Sequence, residues 1–331
     1  MLFSRYNAYM TASPTQHMQC MEVWGGSQIT SDGVELAGLD VWIYSKPFGQ
    51  AQRGGDVYYV SSCASGRISR LLLADVSGHG ISVASMAADL RTLMRRFVNR
   101  LDQKEFVRLL NEQLTTLSSQ GSFSTAIVTT FFAPSRRLTL CNAGHPRPLL
   151  FRVLDGRWSF LGHQDNPEWK GPSNIPLGIF QLADYENVDI ELDPGDCVLS
   201  YTDALIESCD ADGETLGEEG LLRIVNLLGD IPAEKLIATI LHEITQRFPD
   251  NLSADDVTLM VVRANGHSLH FSFREKLNAL GRFLKAILRS LNPGADRAPF
   301  PDANLANIGG AIIPALGRRW RAPRAPQNES G

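Results

Sequence analysis

The sequence predicts an α+β chain in which short apolar strands, several of them bordered by an acid, are interspersed with amphipathic helices. Three observations carry that expectation. First, Leu71 to Ala74 is an apolar run short enough for a buried strand, and it ends on Asp75. Second, Val76-Ser77-Gly78-His79-Gly80 sets two glycines in three positions, which favours a tight turn over a continuing strand. Third, Val83, Met86, Ala87, Leu90, Leu93, Met94 and Phe97 recur at three- and four-residue spacing, the apolar face of a helix running from Ser82 to about Arg100.

The remaining elements follow from the same rules. Residues 1–19 are polar and aperiodic and read as a loosely ordered segment, with a domain over 20–268. Leu39 to Ser45 alternates as a strand and leads through Lys46-Pro47-Phe48 to the Gly54-Gly55-Asp56 turn, after which Val57 to Val60 is strand-like. Lys104 to Ser118 gives a second helix with Phe106, Leu109, Leu110, Leu114 and Leu117 inward. Ser124 to Ala133 and Arg137 to Asn142 form a hairpin. Pro148 to Val153 is a further strand, and Asp155 to Pro176 a short strand plus an irregular loop. Tyr185 to Leu192 turns through Asp193-Pro194-Gly195-Asp196 into the strand Cys197 to Tyr201. Glu218 to Leu228 and Ala233 to Phe248 are helices, and Val257 to Arg263 is the last strand.

Acids stand at four strand ends: Asp56 after a glycine pair, Asp75, Asp203 after Val198 to Tyr201, and the Asp255-Asp256 pair before the last strand. A carboxylate at the end of a buried strand is costly to desolvate unless a donor or cation faces it. Asp75 by itself reads either as a turn cap or as a ligand for a hard divalent ion. Widely spaced acids that converge on one sheet edge favour the second reading.

The fragments GGDVYYV, LLLADVSGHG, FSTAIVTTFF, NAGHPRPLLF, IPLGIF, LSYTDALIE and ADDVTLMVV, in this order from about Trp42 to Arg263, resemble the motifs of the SpoIIE/RsbU-type branch of the type 2C (PPM) metal-dependent protein phosphatases. The resemblance implies a four-layer α-β-β-α sandwich of two packed antiparallel sheets flanked by helices. It implies two Mn²⁺ or Mg²⁺ ions, with Asp56, Asp75, the Val76 carbonyl, Asp203 and Asp255 around them and Asp256 as a second choice of ligand. It implies hydrolysis of phosphoserine or phosphothreonine on a protein by a metal-activated water, in bacterial signalling, with small anti-sigma-antagonist proteins as the substrate class. His79 reads as a general acid for the leaving alkoxide, a turn residue or an outer donor. Arg53 and Arg147 read as substrate-phosphate ligands or surface charges.

Two departures from the pattern stand out. Tyr59 occupies the place of a second acid in GGDxxD, and Arg147 interrupts a GHPP-like motif. The alternative function is therefore a catalytically silent phosphoprotein-binding scaffold of the same fold. A dinucleotide-binding reading of the GHG turn lacks the full GxGxxG pattern and leaves the separated acids unexplained.

Composition limits the other classes. A formal charge of −5 argues against bulk nucleic-acid affinity. Five cysteines without a CxxC pair outline neither a zinc site nor a disulfide frame and fit a reducing cytoplasm, and no apolar run reaches a membrane span. From His270 to Gly331 ten Lys or Arg face four Asp or Glu, a net of +6 that leaves −11 for the rest. Phe273 to Leu291, within a segment drawn as 269–291, reads as a basic amphipathic helix for a membrane surface, a partner or its own domain. Residues 292–331 read as a disordered tail.

Overall fold

The computed structural model describes residues 16–18, 23–49, 51–63, 66–77, 81–98, 100, 102–117, 122–161 and 175–267. The expected basic helix, the tail, the Gly78-His79-Gly80 turn and much of the loop before Pro176 lie outside them. Among the described residues thirteen strands form two sheets. A seven-stranded sheet runs β1 (Gln16–His17), β3 (Thr30–Leu36), β4 (Leu39–Lys46), β13 (Val257–Ala264), β12 (Cys197–Tyr201), β9 (Leu149–Arg152), β10 (Arg157–Phe160). A six-stranded sheet runs β11 (Val188–Glu191), β8 (Arg137–Ala143), β7 (Ser124–Phe132), β6 (Ile68–Val76), β5 (Val57–Cys63), β2 (Val23–Gly26). All pairings are antiparallel except β1 with β3.

Strand alternation produces the layers. On β6, Leu71 enters the core between the sheets while Leu72 and Ala74 face the helices. On β13, Met260 and Val262 face the other sheet while Leu259 and Val261 face outward. Helices α1 (Ile81–Phe97) and α2 (Gln103–Leu117) cover the six-stranded sheet, and α3 (Gly217–Leu228) and α4 (Ala233–Arg247) cover the seven-stranded one. The result is the expected α-β-β-α sandwich. All seven apolar residues anticipated on α1 are buried in one cluster. At about 1.5–3 kcal/mol per buried side chain, this packing stabilises a helix length that is marginal in isolation.

Some expectations need correction. Leu117 is 51% exposed, because α2 ends there and turns its inner face through Val107 instead. Gln16 and His17 pair with β3, and Met18 is buried between the sheets, so the packed domain reaches into the segment expected to be loose. Strands β2 and β3 were not anticipated. Among the described residues no helix is long and apolar enough to cross a membrane.

Candidate active site

The acids stand at the ends of strands from both sheets, near enough to act on one another's charge. Asp75 is the penultimate residue of β6, paired with Thr125 of β7, and Ser124 Oγ donates to the Asp75 carbonyl at 2.9 Å. Asp56 immediately precedes β5 and is only 3% exposed. Its Oδ2 accepts from Thr202 Oγ1 at 2.9 Å, while the same hydroxyl oxygen accepts from the Thr258 N–H at 3.0 Å. Thr202 therefore fastens a carboxylate on the edge of one sheet to β12 and β13 of the other. Asp203 follows Thr202 and opens a 3-10 turn, Asp203–Leu205. Asp255 is exposed, and its Oδ1 accepts from the Asp256 N–H at 2.7 Å.

Their electrostatics bind these acids into one group. Burial raises the Asp56 carboxyl well above the usual range, and the neighbouring charges of Asp75 and Asp256 add to it, against hydrogen bonds from Thr258 and Thr202. Burial likewise pushes Asp75 up to about 7, followed by repulsion from Asp203, Asp255, Asp256 and Glu207. Asp203 is raised by burial, then by Glu207 and Asp255. No cation features among the causes for any of the three. Among the described residues no group of three or more His, Cys, Asp or Glu side chains is placed so that it could hold a metal ion. The all-oxygen donor chemistry nevertheless fits a hard divalent ion, which favours the charged form of every carboxylate that repulsion now disfavours.

The glycine pair makes this arrangement possible. A Cβ on Gly54 would stand 2.4 Å from Asp256 Oδ2, and one on Gly55 would stand 3.1 Å from the Val76 carbonyl oxygen and 3.0 Å from Val83. Only the bare backbone lets the turn pass between β13 and the end of β6. The Val76 N–H in turn donates to the Gly55 carbonyl at 3.3 Å.

The other anticipated residues divide. Asp256 is engaged by the backbone, with Oδ1 accepting from Phe48 N–H at 2.5 Å and Oδ2 from Gly55 and Asp56 N–H at 2.5 and 3.3 Å. Arg147 faces α3 instead of the acids. Its Nε donates to Glu218 Oε2 at 2.5 Å and its guanidinium lies 3.6 Å over the Phe160 ring, so it clasps a helix and is not an open phosphate ligand. Arg53 is exposed at the tip before the glycine turn. His79 lies outside the described residues. Tyr59, in the position of the missing second acid, is 1% exposed in the core under α1, on the face of β5 opposite to Tyr58.

Four further residues belong to the neighbourhood. Glu207 stands four residues after Asp203 and its N–H donates to the Asp203 carbonyl at 2.9 Å, so a one-turn spacing rule would have found it. Thr202 is 0% exposed and adjoins the acid already singled out. Arg91 of α1 has its pKa lowered by burial and then by Arg53, and its Nε is buried without an acceptor. In sequence it looks like any charge on a helix's polar side. His145 is 3% exposed beside Thr125, with Thr125 Oγ1 and His145 Nδ1 2.9 Å apart.

The family description Stage II sporulation protein E (SpoIIE) matches residues 65–265 of the 331. The chain belongs to the SpoIIE family. Among curated proteins it is similar to phosphoserine phosphatase RsbU of Bacillus subtilis (strain 168), 25% identical over 227 residues, 68% of this chain and 63% of RsbU. The chain thus spans somewhat under two thirds of that relative's length. Among solved structures it is similar to the RsbU and RsbW domains of Rv1364c from Mycobacterium tuberculosis, with a TM-score of 0.59 and 20% identity, covering 80% of this chain and 76% of that one. It is also similar to the PP2C phosphatase domain of SpoIIE from Bacillus subtilis, with a TM-score of 0.56 and 16% identity, covering 74% and 64%. At these identities the structures establish a shared fold, the SpoIIE-type sandwich described above.

Proposed function

We propose that this SpoIIE-family chain is a divalent-metal-dependent serine/threonine protein phosphatase of bacterial cytoplasmic signalling, acting on a small phosphoprotein of the anti-sigma-antagonist kind. One observation carries the reading: beyond burial, the main cause, Asp75 is raised by the charges of Asp203, Asp255 and Asp256 and itself raises Asp56, so acids from both sheets act on one another, and no cation of the described residues is among the causes. Asp56, Asp75, Asp203, Asp255 and the Val76 carbonyl would hold a pair of Mn²⁺ or Mg²⁺ ions. Ions bound there supply Lewis acidity toward water and toward the phosphoryl oxygens.

The chain's own residues do the rest. Phosphoryl transfer depends mainly on positioning and charge, and the Thr202 hydroxyl fixes the Asp56 carboxylate across the seam. Arg53, coupled to Arg91 beside the glycine turn, offers positive charge to an anionic group of the substrate, a part that Arg147 cannot fill while it pairs with Glu218.

Purified protein should hydrolyse p-nitrophenyl phosphate and a phosphoserine peptide only with added Mn²⁺ or Mg²⁺. Asp75→Asn should lower kcat about a thousandfold, since several kcal/mol of transition-state charge stabilisation go with the ions. Phosphoprotein binding without turnover, indifferent to metal, would instead identify a scaffold.

A further inference from the structure

We infer that Asp256 is a positioning residue whose carboxylate builds the Gly54-Gly55-Asp56 turn from the opposite sheet, and not a ligand of the ions. This rests on the metal-dependent reading above and adds to it the device that sets the spacing of the true ligands.

Both carboxylate oxygens are engaged by main chain. Oδ1 receives the Phe48 N–H, and Oδ2 receives the N–H groups of Gly55 and Asp56. Hydrogen bonds from backbone N–H to an ionised carboxylate are about twice as strong as neutral ones, and three that converge on one side chain define a loop conformation. Phe48 stands two residues after β4 and Asp56 immediately before β5, so Asp256 pins both ends of the connection between the sheets to the head of β13. The glycine pair is the counterpart of that anchor. A methyl on Gly54 would occupy the volume of the Asp256 carboxylate, 2.4 Å from Oδ2 and 2.5 Å from Cγ.

The anchor reaches the site in two steps. Asp256 holds Gly55, whose carbonyl receives the Val76 N–H at 3.3 Å. It also holds the Asp56 N–H, on the residue whose side chain Thr202 already fixes. Asp56 and Val76 thus take their mutual spacing from a carboxylate that points at neither side chain. Asp255, next to it, is exposed and accepts only a local N–H. Both adjacent acids contribute charge to the cluster, but only Asp256 is held by the backbone of the glycine turn.

Hydrogen exchange on the full chain without metal tests the anchor directly. The amides of Phe48, Gly55 and Asp56 should be protected in the wild type, lose protection about tenfold or more in Asp256→Ala, and keep it in Asp255→Asn. Direct Mn²⁺ titration by calorimetry tests its consequence. Asp256→Ala should weaken Mn²⁺ about tenfold while kcat recovers at saturating metal, and Asp256→Asn, whose single amide oxygen can serve Gly55 and Asp56 or Phe48 but not both, should weaken it less than Asp256→Ala. Gly54→Ala should reproduce the defect, and the double variant should be no worse than either single one, a coupling that also serves if Asp256→Ala does not fold. Free exchange of the three amides in the wild type overturns the inference. So does an Asp256→Asn variant that loses ion binding as completely as Asp75→Asn, for that is how a ligand behaves. A wild type that binds no Mn²⁺ sinks the phosphatase reading, while the exchange pattern still decides the anchor.

Discussion

His145 shows how one side chain sets a pH dependence for the whole protein. Burial holds its imidazole down at about 3, offset only in part by a hydrogen bond to the Tyr201 backbone. The residue is locked on both sides by Asn142, which gives its Nδ2 hydrogen to the His145 carbonyl and takes the His145 N–H, each at 2.8 Å. An unfolded chain protonates this histidine near 6.5, so between that value and about 3 the unfolded state binds the extra proton. Stability therefore rises with pH through the window and is lost as pH falls, by up to about 1.4 kcal/mol per pH unit. Urea denaturation of the wild type and of His145→Asn at pH 7, 6, 5 and 4 should show that slope in the wild type and a flatter one in the variant. The motif containing His145 was visible in the sequence, yet its burial was not, because that depends on Thr125 of β7, Asn142 of β8 and the Tyr201 backbone of β12 meeting around it. Arg91 was hidden for a related reason: its spacing on α1 is that of a solvated charge, and only the fold sets Arg53 beside it.

Among the elements, α2 and the Ile175 to Leu182 segment depend on one amide. Asn111, 0% exposed, donates through Nδ2 to the carbonyls of Phe180 at 2.7 Å and Gln181 at 3.3 Å, and accepts the Gly178 N–H at 2.9 Å. Asn111→Ala should cost about 1–3 kcal/mol. Asn111→Asp should cost at least as much, since a carboxylate cannot donate to two carbonyls, and limited proteolysis of the segment should accelerate in both. The same segment backs the site, as Leu177 exchanges two backbone hydrogen bonds with Ser124 at the head of β7. Elements with a strong apolar signal were legible: β6 and β13 carry short apolar runs buried on both faces, and α1 carries a helical stripe buried in one cluster. Strands β2 and β3 were not, because Val23-Trp24-Gly25-Gly26 and Thr30-Ser31-Asp32-Gly33 lack alternation and take their conformation from pairing. Gly25 is needed at that pairing, since a Cβ there would stand 2.7 Å from the Tyr58 carbonyl oxygen.

At the scale of the molecule, the acids are divided between two sheets that share a core but no strand pairing. Asp75 belongs to the six-stranded sheet, Asp203 and Asp255 adjoin strands of the seven-stranded one, and Asp56 sits on the crossing between them. The sequence placed these acids at strand ends, and the motif order supplied the sandwich; the cross-sheet bonds of Thr202 and Asp256 depend on distances between remote segments that no local pattern carries. An ion held by this set binds the folded chain alone. At a hundred times its dissociation constant it should add about 2.7 kcal/mol of stability, or roughly 5–10 °C in melting temperature. Chelation with EDTA should reverse the gain, and Asp75→Asn should abolish it, both readable by differential scanning calorimetry without any substrate. Under the metal-binding reading proposed above, each half of the sandwich would lend part of the hold on the ions, so the grip on that cargo would depend on the two stacked plates keeping their mutual setting, which the bonds of Thr202 and Asp256 fasten.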